Sequence, residues 1–293
     1  MPPASMFLVE EKIYIVGFLK DAKTWSGGMW IGQITDDGDS KTTETVKLFK
    51  LWDDVSAIFE PLVADGVLYL PLDTTVASIS VGQDLTVAGN WKRTQDSETL
   101  VSRSWFQNLT GESLNELGTA ECLEGNIVRG KDGTIYVIYR IESHPYGNYA
   151  VMLEVSEDRT QLKLLSDNGS LIRLPTTISR FVIKYDESIQ KYICISNWYL
   201  TKNACRARNV LGISISDDLV VWTQIDTLLV EREMINTECS CWKTAFQYAD
   251  WDFDGEDLVL AVRETVGYSN TFHDGKYFTF YRISDYRSLL QSN

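Results

Sequence analysis

Residues 124–141 read EGNIVRGKDGTIYVIYRI: an apolar strand, a turn at Asp132-Gly133, then a second apolar strand. An Asp-Gly pair between two such runs is a strong hairpin signal, because glycine takes the left-handed backbone of a tight turn without steric cost. The same unit recurs as IFEPLVADGVLYLPLD from Ile58, RFVIKYDESIQKYICISN from Arg180 and FQYADWDFDGEDLVLAVRE from Phe246. Its turns are Asp65-Gly66, Glu187-Ser188 and Asp254-Gly255, and a weaker copy, FLVEEKIYIVGF, opens the chain with a turn at Glu10-Glu11.

Each copy is followed by a second hairpin-like unit: VASISVGQDLTVAGNWKRT, YAVMLEVSEDRTQLKLL, LGISISDDLVVWTQI and YFTFYRISDYRSLL. These share a strand ending in Ser, an acidic turn and an apolar or aromatic outer strand, most sharply in Ser216-Asp-Asp-Leu-Val-Val-Trp222. The turns are spaced by roughly sixty residues, which leaves four strands per period and no amphipathic helix between them. The pattern predicts an all-β fold, a β-propeller of four-stranded antiparallel blades forming one domain over residues 1–293. Five blades are expected, with six as the alternative.

Composition agrees with a large globular core: 44% of the 293 residues are hydrophobic, 23% are charged and only 6 are proline. Nine Trp and fourteen Tyr suit strands and also platforms for stacking sugar rings. A net charge of −14 argues against nucleic acid and anionic membranes as partners, while leaving room for a local arginine cluster that binds an acid. No apolar run approaches the ~18–20 residues of a membrane-spanning helix. The start, MPPASMFLVEEKIYIVGF, has no basic n-region and meets Glu10 and Glu11 early, so it does not read as a signal peptide. The chain as written is expected in the cytoplasm, or outside it if a leader has been removed. The five cysteines, Cys122, Cys194, Cys205, Cys239 and Cys241, form no CxxC pair, and His144 and His273 lie far apart. No metal site or cofactor is expected, and buried free thiols are the ordinary reading. Oligomeric state is not legible.

In a propeller the innermost strand of each blade lines the ligand mouth, so polar residues upstream of each turn are the place to search. They are Glu60, Glu124, Asn126, Arg180, Gln247, Tyr248 and Asp250. Glycoside hydrolysis uses two carboxyl groups, and Glu124 and Asp250 each interrupt an otherwise apolar or aromatic strand. The plainer alternative is a strand-end carboxylate paired with a neighbouring Arg or Asn. Arg140, Arg180, Arg206, Arg208 and Arg263 lie in or beside strands of three blades. Two or three of them converging would bind a sugar carboxylate bidentately; otherwise each pairs with a local acid. His273, after the loop from Gly267 to Thr271, has the chemistry of a general acid or base, or closes a turn, and His144 shares that ambiguity. Trp251, Trp198 and Trp105 are stacking platforms or, more simply, packing between blades.

The segments Glu124-Gly-Asn126, Arg180-Phe-Val-Ile-Lys-Tyr-Asp186, Arg208-Asn-Val-Leu, Ser216 to Trp222, Phe246-Gln-Tyr-Ala-Asp-Trp251 and His273-Asp-Gly-Lys-Tyr277 resemble, in order, the sialidase-like BNR-repeat glycoside hydrolases. Two departures stand out. The sialidase Asp-box is Ser-x-Asp-x-Gly-x-Thr-Trp, whereas Ser216 to Trp222 is one residue short and lacks the glycine; the nearest Arg-Ile-Pro match, Tyr139-Arg140-Ile141, lacks the proline. The Ser-Asp-Leu…Trp form is equally similar to the five-bladed arabinanase and invertase-type hydrolases, which use three carboxylates. The resemblance implies an exo-acting glycoside hydrolase on a carbohydrate substrate, with an acidic sugar of sialic or uronic type if the arginines converge. A tyrosine nucleophile, Tyr248 or Tyr185, would follow the sialidase exception. A polysaccharide lyase using His273 and a tyrosine, and a non-catalytic glycan-binding propeller, are the alternatives.

Overall fold

The computed structural model describes residues 4–20, 27–35, 45–55, 59–198, 207–230, 244–265 and 275–290. Their strands form five antiparallel sheets. The first holds β1 (Ala4–Val9), β2 (Lys12–Lys20), β3 (Gly27–Thr35) and β4 (Thr45–Trp52) in sequence order. The second holds β5 (Leu62–Ala64), β6 (Val67–Pro71), β7 (Val76–Ser80) and β8 (Lys92–Arg93). In the third, β9 (Cys122–Arg129), β10 (Ile135–Ile141) and β11 (Tyr149–Val155) are followed by β12 (Leu162–Leu164) and β13 (Leu171–Arg173), which pair with different halves of β11. The fourth holds β14 (Phe181–Asp186), β15 (Lys191–Asn197), β16 (Val210–Ser216) and β17 (Trp222–Val230). The fifth shows β18 (Ala245–Asp254), β19 (Asp257–Thr265) and β20 (Tyr277–Ile283) among the described residues. Among the described residues two short α-helices accompany them, α1 (Arg103–Thr110) and α2 (Tyr286–Leu290). The fold is that of a five-bladed β-propeller.

The hairpins form where the sequence signals them, with local differences. Val9 pairs with Lys12 and Ala64 with Val67, leaving two-residue loops whose residues all have positive φ: Glu10 48°, Glu11 63°, Asp65 49° and Gly66 73°. That is the turn whose twist matches the strands. At Asp254 the loop is shifted by one residue, because Asp254 pairs with Asp257 and Gly255 carries the positive φ of 67°. At Asp132 the turn is longer, closed by Gly130 N–H on the Thr134 carbonyl at 2.8 Å, with Gly133 at φ 87°. The fourth copy closes from Asp186 to Lys191, and Gln190 is its left-handed residue.

The second and third strands of the fourth sheet, KYICISN and VLGISIS, are buried along almost their whole length, while β17 is mostly half-exposed or exposed. Strands covered on both faces need apolar side chains at successive positions, hence continuous runs rather than alternation.

The outer turns repeat one arrangement. Ser216 Oγ accepts from Leu219 N–H at 2.9 Å, Asp218 Oδ1 accepts from the N–H groups of Val220 and Val221 at 2.9 and 2.8 Å, and the Trp222 indole donates to the Leu219 carbonyl at 2.9 Å. The turn closes without a glycine because Leu219 itself adopts φ 68°. In the third sheet Ser156 Oγ accepts from Gln161 N–H at 2.9 Å around Arg159 at φ 63°. In the second, Asp84 accepts from Thr86 N–H and the Trp91 indole donates to the Leu85 carbonyl, each at 2.9 Å.

By packing, the chain divides into two compact units: residues 1–100, 122–139 and 153–165, and residues 101–121, 140–152 and 166–293. In the first, Tyr14, Val16, Met29 and Ile31 of the first sheet meet Leu68, Leu70, Ala77 and Ile79 of the second. In the second unit, Val182, Ile193, Ile195, Leu211 and Ile213 of the fourth sheet meet Trp251, Leu258, Leu260 and Val262 of the fifth. Helix α2 seals that core through Tyr286, whose hydroxyl donates to Asp186, while Arg287 Nε reaches the same carboxylate at 3.3 Å. Burial and then the bond to Asp186 push the Tyr286 phenol above its ordinary range.

Candidate functional site

In the second unit, Arg208 and Arg263 converge on Gln247 of β18. Between Gln247 and Asp250 this strand takes three steps while β19 takes two, from Arg263 to Ala261, so β18 carries one extra residue. That bulge is made at Tyr248, which adopts φ 50°. A bulky side chain in the left-handed region is strained by roughly 1–2 kcal/mol and persists only where its surroundings fix it. Bulges of this kind re-aim side chains.

The bulge brings distant residues together. Gln247 is fully buried, and its Oε1 accepts from Arg208 Nη1 at 2.7 Å and from Arg263 Nη2 at 2.8 Å. Its Nε2 lies 3.4 Å from Thr265 Oγ1. The Arg263 guanidinium stacks 4.5 Å from the centroid of the Tyr248 ring, and that of Arg208 lies 6.0 Å from it. Both distances fit cation–π attraction. Backbone bonds hold the group: Phe246 N–H donates to the Arg208 carbonyl at 2.7 Å, and Asn197 Nδ2 donates to the Phe246 carbonyl at 2.8 Å. Farther along β18, Asp250 is half exposed; its Oδ2 is 3.8 Å from Arg180 Nη2, and its Oδ1 accepts from Trp251 N–H at 3.0 Å.

Other candidates are placed elsewhere. Glu124 and Asn126 belong to the first unit, on β9, where both are buried. Glu124 has φ 53°, a second left-handed residue within a strand. Gly125 beside it is required: a Cβ there would be 2.7 Å from the Tyr139 ring. Arg140 is engaged at its strand end by Glu142, whose second oxygen is 3.3 Å from His144 Nε2. Trp251 is 3% exposed; it packs between the fourth and fifth sheets and donates its indole N–H to the Val182 carbonyl at 3.2 Å, as packing rather than a platform. Trp198 is likewise buried, lying against Gly212, and Trp105 sits half-buried in α1. Tyr185 packs at 4.8 Å between ring centroids against Tyr192. His273 and Arg206 lie outside the described residues.

Three residues were not singled out from sequence. Thr265 meets Gln247 across the ladder. Glu142 completes a group with Arg140 and His144, just past the end of β10, by contacting both side chains. Glu264 accepts from the Tyr281 hydroxyl, and burial, followed by that bond, pushes the phenol up to about 12. Tyr281 is therefore a neutral donor near neutral pH.

No protein-family model matches the chain, and no curated protein matches it by sequence. Its fold is similar to solved carbohydrate-active propellers. The Trypanosoma rangeli sialidase in complex with 2,3-difluorosialic acid aligns at TM-score 0.55 and 12% identity over 98% of this chain and 45% of that one, so the chain spans less than half the sialidase. A GH62 hydrolase in complex with xylotriose aligns at TM-score 0.53 and 10% identity, covering 96% and 89% of the two chains. The α-L-arabinofuranosidase of Podospora anserina in complex with cellotriose aligns at TM-score 0.51 and 8% identity with the same coverage, 96% and 89%. At such identities the likeness is one of fold: a β-propeller of the kind used by glycoside hydrolases that bind carbohydrate ligands.

Proposed function

We propose that the chain is an exo-acting glycoside hydrolase whose substrate is a sugar acid of sialic or uronic type. The observation that carries this reading is the convergence of Arg208 and Arg263 on the neutral Gln247 amide beside the half-buried Tyr248 ring. An amide oxygen orients two guanidiniums without cancelling their charge, and a guanidinium matches a carboxylate bidentately. In a chain of net charge −14, two guanidiniums brought to one oxygen supply positive charge locally, which favours an acid over a neutral sugar.

For the chemistry, Asp250 is proposed as one carboxyl group: it is 50% exposed at its side chain, within reach of water. Glu124, in the other compact unit, is kept as a separate carboxyl candidate on the strength of its burial in β9 and its left-handed backbone. Tyr248 is the proposed ligand-facing aromatic. His273 is an additional proposed acid or base.

A panel of chromogenic sialosides, glucuronides and neutral arabinosides, xylosides and galactosides tests the reading. Release is expected from an acidic glycoside and not from its neutral counterpart. Equal rates on neutral sugars overturn the acidic substrate. An unsaturated uronate, seen by its ultraviolet absorbance, would assign eliminative cleavage and overturn hydrolysis.

A further inference from the structure

Gln247 accepts a hydrogen bond from both arginines of the cluster, and its own side chain carries no charge. Its carboxamide is fully buried on the residue just before the β18 bulge, with Oε1 at 2.7 Å from Arg208 and 2.8 Å from Arg263. Two guanidiniums brought to one oxygen repel each other, and a protein that needed only to stabilise them would place a carboxylate there, since a charge-assisted bond is roughly twice as strong as a neutral one. The amide does the opposite: it fixes direction and leaves the charge in place. Its N–H side is turned to Thr265 Oγ1 at 3.4 Å, which sets the amide's orientation and keeps the oxygen toward the arginines.

We infer that Gln247 is a positioning residue that sets the charge selectivity of this site: it aims Arg208 and Arg263 as a pair and, by being neutral, keeps the pair anion-selective. This rests on the proposed acidic-sugar reading for its natural ligand, and concerns how that selectivity is built. Gln247→Glu is nearly isosteric, accepts from the same two donors, and removes one unit of positive charge from the cluster. It is therefore a substitution that holds the fold while erasing the selectivity.

The test is isothermal titration of the whole chain and of Q247E with N-acetylneuraminate, D-glucuronate, neutral D-xylose and sulfate, with thermal unfolding measured in parallel. Q247E is expected to melt at or above the parent temperature and to bind acids at least roughly tenfold more weakly, the scale of one charged hydrogen bond. A purely structural role for Gln247 predicts unchanged affinity in a folded Q247E, and that result overturns the inference. Parent binding of sulfate but of neither sugar acid, with the sulfate weakened in Q247E, removes the acidic-sugar reading and leaves the inference standing. Parent binding of neither sulfate nor sugar acid overturns both. Should Q247E not fold, Gln247→Met keeps the volume and removes the acceptor; weakened acid binding is again expected, and affinity equal to the parent overturns the inference.

Discussion

The guanidinium of Arg263 lies over Tyr248, 4.5 Å from its ring centroid, while its Nη2 donates to Gln247. One cation is thus oriented by an aromatic face and by an amide. Tyr248→Phe keeps the face and is expected to leave the melting temperature unchanged within a degree or two, whereas Tyr248→Ala loses cation–π attraction of about 0.5–2 kcal/mol. Thermal unfolding separates these variants. A turnover loss in Tyr248→Phe, measured on the glycoside that the parent cleaves, would place the phenol itself in the reaction.

Replacing Asp250 by Asn and Glu124 by Gln tests the proposed carboxyl groups one at a time. Each variant is expected to lose at least about a hundredfold in turnover, the usual scale of general acid–base catalysis, while still binding ligand. Full activity in either variant removes that residue from the mechanism.

Trp251 is expected to act on stability. It is 3% exposed in the core between the fourth and fifth sheets and donates its indole N–H to Val182. Trp251→Ala should cost about 3–5 kcal/mol in urea unfolding, the range for removing a large aromatic from a packed interior.

Glycines at close approaches should be equally intolerant. A Cβ at Gly212 would overlap the Trp198 ring, and one at Gly125 would lie 2.7 Å from the Tyr139 ring. Both rings are buried, so neither can swing aside, and each Gly→Ala change is expected to destabilise by about 1–3 kcal/mol. Equilibrium unfolding of the two variants checks this.

The acidic turns give a pH dependence of defined sign. The Ser156 hydroxyl, then Thr160, hold the Asp158 carboxyl down to about 2. Thr86 lowers Asp84, and Asp218 stays below its ordinary value because the N–H groups of Val221 and Val220 outweigh burial, which acts in the raising direction. A depressed folded value means the stabilisation is complete above the unfolded carboxylate value of about 3.9 and is lost as pH falls through the folded value. Melting temperature should therefore drop between about pH 4 and 2, and Ser156→Ala should flatten the part of that drop due to Asp158.

Much of the fold is written locally. A hairpin needs left-handed backbone over two or three residues, and Asp65-Gly66 or Asp132-Gly133 declare it within those residues. Continuous apolar runs such as KYICISN declare strands covered on both sides. The arginine cluster is legible only as a list of candidates, because it depends on register: Gln247 reaches Arg263 across the ladder and Arg208 from 39 positions away in the chain. One extra residue in β18 decides which side chains are re-aimed, and no residue type in Gln247-Tyr-Ala-Asp250 announces it. Trp251 shows the same limit from the other direction. An aromatic beside a polar segment reads equally as platform or packing until its face is known.

The indole tethers of the outer turns span different lengths: Trp222 reaches back three residues to Leu219, and Trp91 reaches back six to Leu85. The same anchor thus holds with three additional residues looped out beneath it, Thr86 to Asn90 in place of Val220 and Val221. Such turns are permissive splice points. A tag, an epitope or a fluorescent reporter inserted between Leu219 and Trp222 should be carried as a surface appendage, with the two flanking strands still clasped by the tryptophan.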